Sequence, residues 1–413
     1  MPQLLVVSNG HGEDLISLRV LEALHSIHPW LSLKALPLVG EGKAFDKAVA
    51  EGWLKVLGAA RNLPSGGFSN QSLRGLVSDL AAGLIGTTWR QWKSVRFAAK
   101  EGHHVLAVGD LLPLFFAWSS GAHFGFIGTP KSDYTWRSGP GHALSDLYHF
   151  WKGSEWDPWE WSLLRSARCK MVAVRDPLTA RGLRRHGVSA RAPGNPMMDG
   201  LDVTPTPESL AGFRRLILLC GSRMPEASRN FECLLDVIGR LNFETPLAVF
   251  IPLSSQPSVD QLAPSLISAG FSPSDFDDHG LEAQACWVKD KNFLFLAQGK
   301  FARWASWAEI GLANAGTATE QLVGLGVPAL SLPGEGPQFK MGFARRQSRL
   351  LGGAVTPCTT KGLMARALKR LLADQSLRTR LSILGMRRMG ASGASAALAG
   401  LISQLLLSCE TEH

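Results

Sequence analysis

Cysteine is scarce and unpatterned. The 413 residues hold six, Cys169, Cys220, Cys233, Cys286, Cys358 and Cys409, with no CxxC pair and no regular spacing. That excludes a disulfide framework, and the thiols read as reduced groups of a cytoplasmic protein. His103, His104, His142 and His149 lack acidic or cysteine partners at ligand spacing, so no metal site is expected. Charged residues make up 19% and hydrophobic ones 45%, without a low-complexity run, which excludes a disordered chain. No apolar run approaches the roughly 20 residues a spanning helix needs; the longest, Leu111 to Trp118, is interrupted by Pro113. Met1-Pro-Gln-Leu-Leu-Val-Val lacks the basic n-region of a signal peptide and reads as a first strand. The expectation is a globular chain of about two to three domains, soluble or peripheral to a membrane.

The formal charge of +9 is uneven. From Arg61 to Lys100, the bases Arg61, Arg74, Arg90, Lys93, Arg96 and Lys100 face the single acid Asp79. Leu73, Leu76, Val77, Leu80 and Leu84 recur there at helical spacing, followed by Trp89 and Trp92. Two readings stand: residues 71–100 rest on an anionic bilayer, or they form a core-packed helix with a solvated basic end. No nucleic-acid-binding module accompanies the charge, so nucleic acid is not expected as a partner. Trp136, Trp151, Trp156, Trp159 and Trp161 crowd a second stretch with Tyr134 and Tyr148. It reads as a lid, an acceptor-binding wall, a membrane-touching loop, or a locally packed excursion.

Short apolar runs punctuate the chain at Leu4 to Ser8, His104 to Gly109, His123 to Gly128 and Met171 to Arg175, with helical segments between some of them. This alternation predicts a parallel sheet wrapped by helices. The polar, proline-bearing segment Asp202-Val-Thr-Pro-Thr-Pro-Glu208 interrupts it. After it, strands are expected at Arg215 to Cys220, Leu247 to Pro252, Asn292 to Leu296, Ile310 to Asn314 and Ala329 to Leu332. The division expected is therefore an acceptor-binding domain over 1–201, a linker over 202–209, a second domain over 210–390, and a C-terminal helical segment over 391–413 that packs on the domains. The fold class is α/β, two doubly wound Rossmann-like domains, with ligand in an interdomain cleft at the strands' carboxyl ends.

The richest motif runs from Gly311 to Pro328 and reads as a nucleotide-sugar site. A turn through Asn314, Ala315 and Gly316 feeds a helix that opens with Thr317, Ala318 and Thr319. Free N–H groups and the helix dipole draw phosphate to such a start, and a carboxylate at Glu320 suits the vicinal hydroxyls of a ribose. Any parallel α/β protein offers the bland alternative of strand, turn and helix. Gly221-Ser-Arg223 forms another strand-to-helix turn, where backbone approaches closely, Ser222 donates and Arg223 pairs a diphosphate, or pairs an ion at the surface. Ser8-Asn-Gly-His-Gly-Glu-Asp-Leu15 follows the first strand, and its His11, Glu13 and Asp14 are expected to point into the cleft, beside Asn9, Gly10 and Gly12. Asp110 ends a strand, as a base or as the N-cap of the next helix; His11 is a base of suitable ordinary pKa or a turn residue. Asn195 closes the Gly-Asn-Pro turn at the domain boundary. Asp275-Phe-Asp277-Asp278 has DxD spacing but reads as a solvated turn.

In this order the segments resemble the lipid-A-disaccharide synthase family, closest to a divergent related branch, with a fainter likeness to the peptidoglycan GlcNAc transferase. Both are GT-B glycosyltransferases, and the resemblance is strongest from about Arg181 to Gln338. It implies that Gly221, Ser222, Arg223, Gly316, Thr317, Ala318, Thr319, Glu320 and Gln338 bind a UDP-sugar. It further implies inverting transfer to a lipid acceptor at Asp110, from UDP-2,3-diacylglucosamine to 2,3-diacylglucosamine 1-phosphate, without cofactor, at the inner face of a membrane. After Pro113 the family has a second acid and an Asn, where this chain has Leu114, Phe115 and Phe116, which points to a different acceptor. Transfer to another glycolipid, a UDP-GlcNAc 2-epimerase-like activity, and non-catalytic UDP or membrane binding stay open.

Overall fold

The computed structural model describes residues 2–10, 12–58, 84–201, 203–241, 244–275, 280–334 and 339–410. The chain forms two units: Met1–Arg137 with Ala143–Asp199 and Ala391–His413, and Ser138–His142 with Gly200–Gly390.

In the first unit the chain runs β1 (Gln3–Ser8), α1 (Gly12–Ile27), β2 (Ser32–Pro37), α2 (Asp46–Ala50), β3 (Leu54–Val56), α3 (Leu84–Lys100), β4 (His103–Gly109) and α4 (Leu111–Ser120). It continues through β5 (Phe124–Gly128), α5 (Tyr134–Arg137), α6 (Leu144–Lys152), α7 (Pro158–Leu164), β6 (Cys169–Val174), α8 (Pro177–Arg185) and β7 (Ala190–Arg191). The sheet order is β3-β2-β1-β4-β5-β6-β7, every pair parallel. β1 shows why its sequence is apolar throughout. Leu4 and Val6 enter one core and Leu5 and Val7 another, because alternate side chains leave opposite faces and both are covered. Pro113 does not break the apolar run Leu111 to Trp118, since it lies in the first turn of α4, where an N–H has no helical partner to lose.

The second unit runs β8 (Arg214–Leu219), α9 (Glu226–Gly239), β9 (Leu247–Leu253), α10 (Val259–Ser268), β10 (Ser272–Pro273), β11 (Ala285–Lys289), β12 (Asn292–Gln298) and α11 (Phe301–Trp307). Then come β13 (Ile310–Ala313), α12 (Thr317–Gly324), β14 (Ala329–Ser331), α13 (Met341–Leu350), β15 (Val355–Pro357), α14 (Lys361–Ala373) and α15 (Gln375–Met389). The order is β10-β11-β12-β9-β8-β13-β14-β15; β10 and β11 pair antiparallel at one edge, β11 also with β12, and the remaining pairs are parallel.

The last helix, α16 (Ala394–Leu405), belongs to the first unit, burying Leu398, Ala399 and Ile402 in the core that holds Leu4 and Val6. Asp199 anchors it, accepting from the backbone N–H of Ser395 at 2.6 Å and from that of Gly393, an acid at a helix start where the dipole favours it. Among the described residues no helix is long and apolar enough to cross a membrane. Of the helix expected over 73–100, Leu84 onward is seen; residues 73–83, Asp202, and Asp277 and Asp278 lie outside the described residues.

Candidate active site

In a doubly wound sheet, ligands bind beyond the carboxyl ends of the two strands at which strand order reverses. In the first unit those strands are β1 and β4, paired Ser8 to Val108. The segments after them hold Asn9, Gly10, Gly12 and Glu13 on one side and Asp110 on the other. Gly109 has φ 134°, and a Cβ there would stand 3.2 Å from the Asn9 side chain. At Gly10, with φ 98°, a Cβ would meet the Val39 carbonyl oxygen at 2.3 Å. Gly109 lets the loop after β4 approach that after β1, and Gly10 lets the latter approach the segment after β2.

Glu13 is the chemically distinctive group here. Burial pushes its carboxyl up to about 6, with the like charges of Asp110 and Asp14 adding to the effect, while backbone and Thr129 hydrogen bonds oppose it. Thr129 Oγ1 donates to Glu13 Oε1 at 3.1 Å, so the end of β5 joins those of β1 and β4. Thr129 is absent from the sequence-based expectations; its only signal is its place directly after a strand-ending glycine.

Asp110 caps α4, its Oδ1 accepting from the Leu112 N–H at 3.3 Å. Two other expectations for this unit are corrected. Asp14 does not point outward: it is buried and accepts a hydrogen bond from Ser8 Oγ, because one helical step of about 100° past Glu13 turns it inward. Asn195 is also buried, capping the turn Pro196–Met198 through the Met197 N–H at 3.2 Å, so its side chain serves the backbone. His11 lies outside the described residues.

In the second unit strand order reverses between β8 and β13, so Gly221–Arg223 and the start of α12 are neighbours. Asn314, buried at the end of β13, accepts from the Leu332 N–H at 2.8 Å, and its Nδ2 lies 3.4 Å from Asn230 Oδ1. Asn230 in turn donates to the Cys220 carbonyl at 3.0 Å. Gln347 of α13 donates to the Gly316 carbonyl at 3.1 Å and to that of Ala315 at 3.4 Å. These amides hold both turns in register; sequence reading missed Asn230 because it lies within α9, 84 positions from Asn314, and Gln347 because it lies 31 positions from Gly316.

Gly221 takes φ 89°, and a Cβ there would make only ordinary contact with the Asn314 carbonyl, so conformation rather than space calls for glycine. Ser222 is exposed and Arg223 half-buried; burial pulls the Arg223 guanidinium below its ordinary value, with Glu226 opposing. Gly316 precedes α12 with no side-chain cap, leaving first-turn N–H groups of Thr317, Ala318 and Thr319 without helical acceptors. Thr319 is a correction. Its hydroxyl is buried and donates to the Ala315 carbonyl at 2.6 Å, the i−4 carbonyl that a helical threonine reaches. Glu320 stands half-buried on the same first turn; Gln338 lies outside the described residues.

The tryptophan-rich stretch divides in two. Trp136, Trp156 and Trp161 are buried. On α6, by contrast, Leu144 is 88% and Trp151 84% exposed, with Leu147 and Phe150 also outward, more than scattered surface residues explain. α3 carries Arg90, Lys93, Arg96 and Lys100 without an acid. Its Trp89 stacks on Trp92, with Lys93 and Arg96 over the two rings.

Two Rossmann-like units of this kind define the GT-B fold. Among solved structures, MurG from Acinetobacter baumannii is similar to the chain, with 13% identity, a TM-score of 0.58, and coverage of 98% of this chain and 100% of that one. The UDP-GlcNAc 2-epimerase from Neisseria meningitidis bound to UDP-GlcNAc gives 15%, 0.56, 97% and 100%. The S. aureus MnaA–UDP co-structure gives 14%, 0.55, 96% and 94%. At such identities the likeness establishes the fold alone. No protein-family model and no curated protein matches the chain.

Proposed function

We propose that the chain is an inverting glycosyltransferase that moves a sugar from a UDP-sugar to a lipid acceptor. The observation that carries this reading is the second unit's switch point, where Gly221–Arg223 and the α12 start are pinned side by side by Asn314, Asn230 and Gln347. A cation, a hydroxyl and uncapped N–H groups together suit a diphosphate. Two similar structures hold UDP-GlcNAc and UDP, which agrees with it. Ser222, Arg223 and the N–H groups of Thr317 and Ala318 bind the diphosphate and stabilise the departing UDP, Glu320 takes the ribose, and Gln338 the donor sugar.

Glu13 takes the proton of the acceptor hydroxyl. A carboxyl raised to about 6 is a better base than an ordinary carboxylate and is still ionised at neutral pH. Asp110 raises that affinity through its charge and anchors α4; His11 is the second candidate. The outward apolar side chains of α6 and the basic, tryptophan-bearing α3 suit a lipid substrate and contact with an anionic membrane surface. The resemblance to lipid-A-disaccharide synthases points to acylated glucosamines on both sides of the reaction. The likeness to the Neisseria epimerase supports a second reading, epimerisation of UDP-GlcNAc, for which an exposed apolar helix has no use.

UDP release from a panel of UDP-sugars, with and without total lipid extract, followed by mass spectrometry of the lipids, tests this. A lipid heavier by one sugar is the expected result. Release without lipid, with a new epimer, overturns it for the second reading. Asp110→Asn, which keeps the cap, separates the carboxylates: turnover is retained if Glu13 is the base and lost with Asp110→Asn if Asp110 is.

A further inference from the structure

A pocket in the second unit remains unassigned. Its wall is a strap, Ser138–His142, that lies between α5 and α6 in sequence yet belongs to this unit. The strap is fastened at three points. Arg388 donates to Ser138 Oγ at 2.9 Å. A Cβ on Gly139, which has φ 107°, would stand 2.6 Å from the Arg349 carbonyl oxygen and 2.7 Å from its Cα, so only glycine lets the strap touch the α13 backbone. Pro140 then packs beside Gly353, 3.5 Å from where a Cβ would be. Beneath the strap opens a cavity of about 630 Å³, within the size range of small-molecule sites.

The lining is one-signed. Arg345 and Arg349, a turn apart on one face of α13, and His142 of the strap line it, and no acid does. Arg345 and His142 are exposed, Arg349 buried. Gly141, with φ 80°, has nothing within 4 Å of a would-be Cβ, which leaves that side of the strap open. Thr356 adds a hydroxyl. None of these residues belongs to Gly221–Arg223 or to the α12 start. The last turn of α13 presents its negative pole here, so an anion must be held by side chains rather than by a helix dipole.

We propose that this pocket binds a small phosphorylated molecule, with Arg345 and His142 as the groups that meet its phosphate and the remaining volume taking its organic body. The inference does not rest on the UDP-sugar reading. Isothermal titration of pyrophosphate into the full chain tests it, using wild type, Arg345→Ala, His142→Ala and, for the nucleotide region, Arg223→Ala. Both pocket substitutions are at exposed positions and should leave the melting temperature unchanged. Arg345→Ala is expected to weaken binding about tenfold and His142→Ala about threefold, the loss of one charge-assisted contact each, while Arg223→Ala retains the pocket's binding. Affinity unchanged in both Arg345→Ala and His142→Ala, or no binding to wild type, overturns the proposal. Loss confined to Arg223→Ala also overturns it and assigns the anion to the Gly221–Arg223 turn instead.

Discussion

The two units share the order of six parallel strands, β3-β2-β1-β4-β5-β6 in one and β12-β9-β8-β13-β14-β15 in the other, and differ in how they treat charge. In the first, burial raises the carboxyls of Glu13, Asp133 and Glu160; Asp157 is an exception, held down against burial by Lys152 and Lys131. In the second, Asp236 is held down by Lys361 and Arg240, and Glu282 by Lys300 and Arg303. Acids raised by burial suit proton transfer, and a half-buried arginine beside uncapped helix N–H groups suits an anion. What differs is the side chains at the strand ends, while the strand order that collects them is alike.

The largest expected effect comes from erasing the first unit's distinctive acid. Glu13→Gln should lower turnover by about 10²- to 10⁴-fold, the usual worth of a general base, with UDP affinity unchanged. In wild type, kcat/KM should fall as pH drops below about 6, where Glu13 becomes protonated; an acid limb persisting in Glu13→Gln would assign the base elsewhere.

Asp133 sharpens the contrast through stability. Its carboxyl, fully buried and accepting from the Glu155 N–H at 2.7 Å, is pushed up to about 7, chiefly by burial. A raised carboxyl contributes stability that is complete below its unfolded value and lost as pH rises through its folded one. Urea unfolding should therefore weaken between pH 4 and 7 by several kcal/mol, on the order of the shift. Asp133→Asn should flatten that slope, and an unchanged slope would place the titration in another group.

In the second unit, Arg223→Ala should weaken UDP binding by about 2 kcal/mol, the worth of a charge-assisted bond, without moving the Glu13 titration. Gly326→Ala probes its scaffold. Gly326 takes φ 87° after α12, its N–H and that of Val327 bonding back to the Val323 and Leu322 carbonyls, the double closure of a Schellman turn. A Cβ there would meet Ser382 Oγ at 2.7 Å, so a loss of about 1–2 kcal/mol is expected in chemical denaturation. Smallest of all, Leu144→Ser with Trp151→Ser should change stability by no more than about 0.5 kcal/mol while reducing sedimentation with anionic liposomes. A large loss of stability would mean that α6 is packed in the native protein.

Much of the fold was legible because buried parallel strands are apolar on both faces. β1, β4, β8 and β13 stand out as runs, each ended by a turn whose glycine or asparagine the backbone requires. Strands β2, β11 and β15 were not legible. Lys34 interrupts the first, the second is a five-residue antiparallel strand near the sheet edge with only Trp287 buried, and the third is the three residues Val-Thr-Pro. The turns after β8 and β13 were legible because Gly, Ser, Arg and Thr sit directly after strands. Asp14 and Thr319 misled because residue type says nothing about which way a helical step turns a side chain.

Local chemistry along the chain determined the α/β class, the glycine turns at strand ends and the polar residues beside them. Tertiary structure decided which of those residues face outward and what each one touches. Thr129 reaches Glu13 across 116 positions, Gln347 steadies the Gly316 turn from 31 positions away, and α16 returns to the first unit through Asp199. Such contacts depend on strand order and helix phase, which the whole fold sets at once, and the desolvation that gives Glu13 its raised carboxyl arises only when those elements close around it.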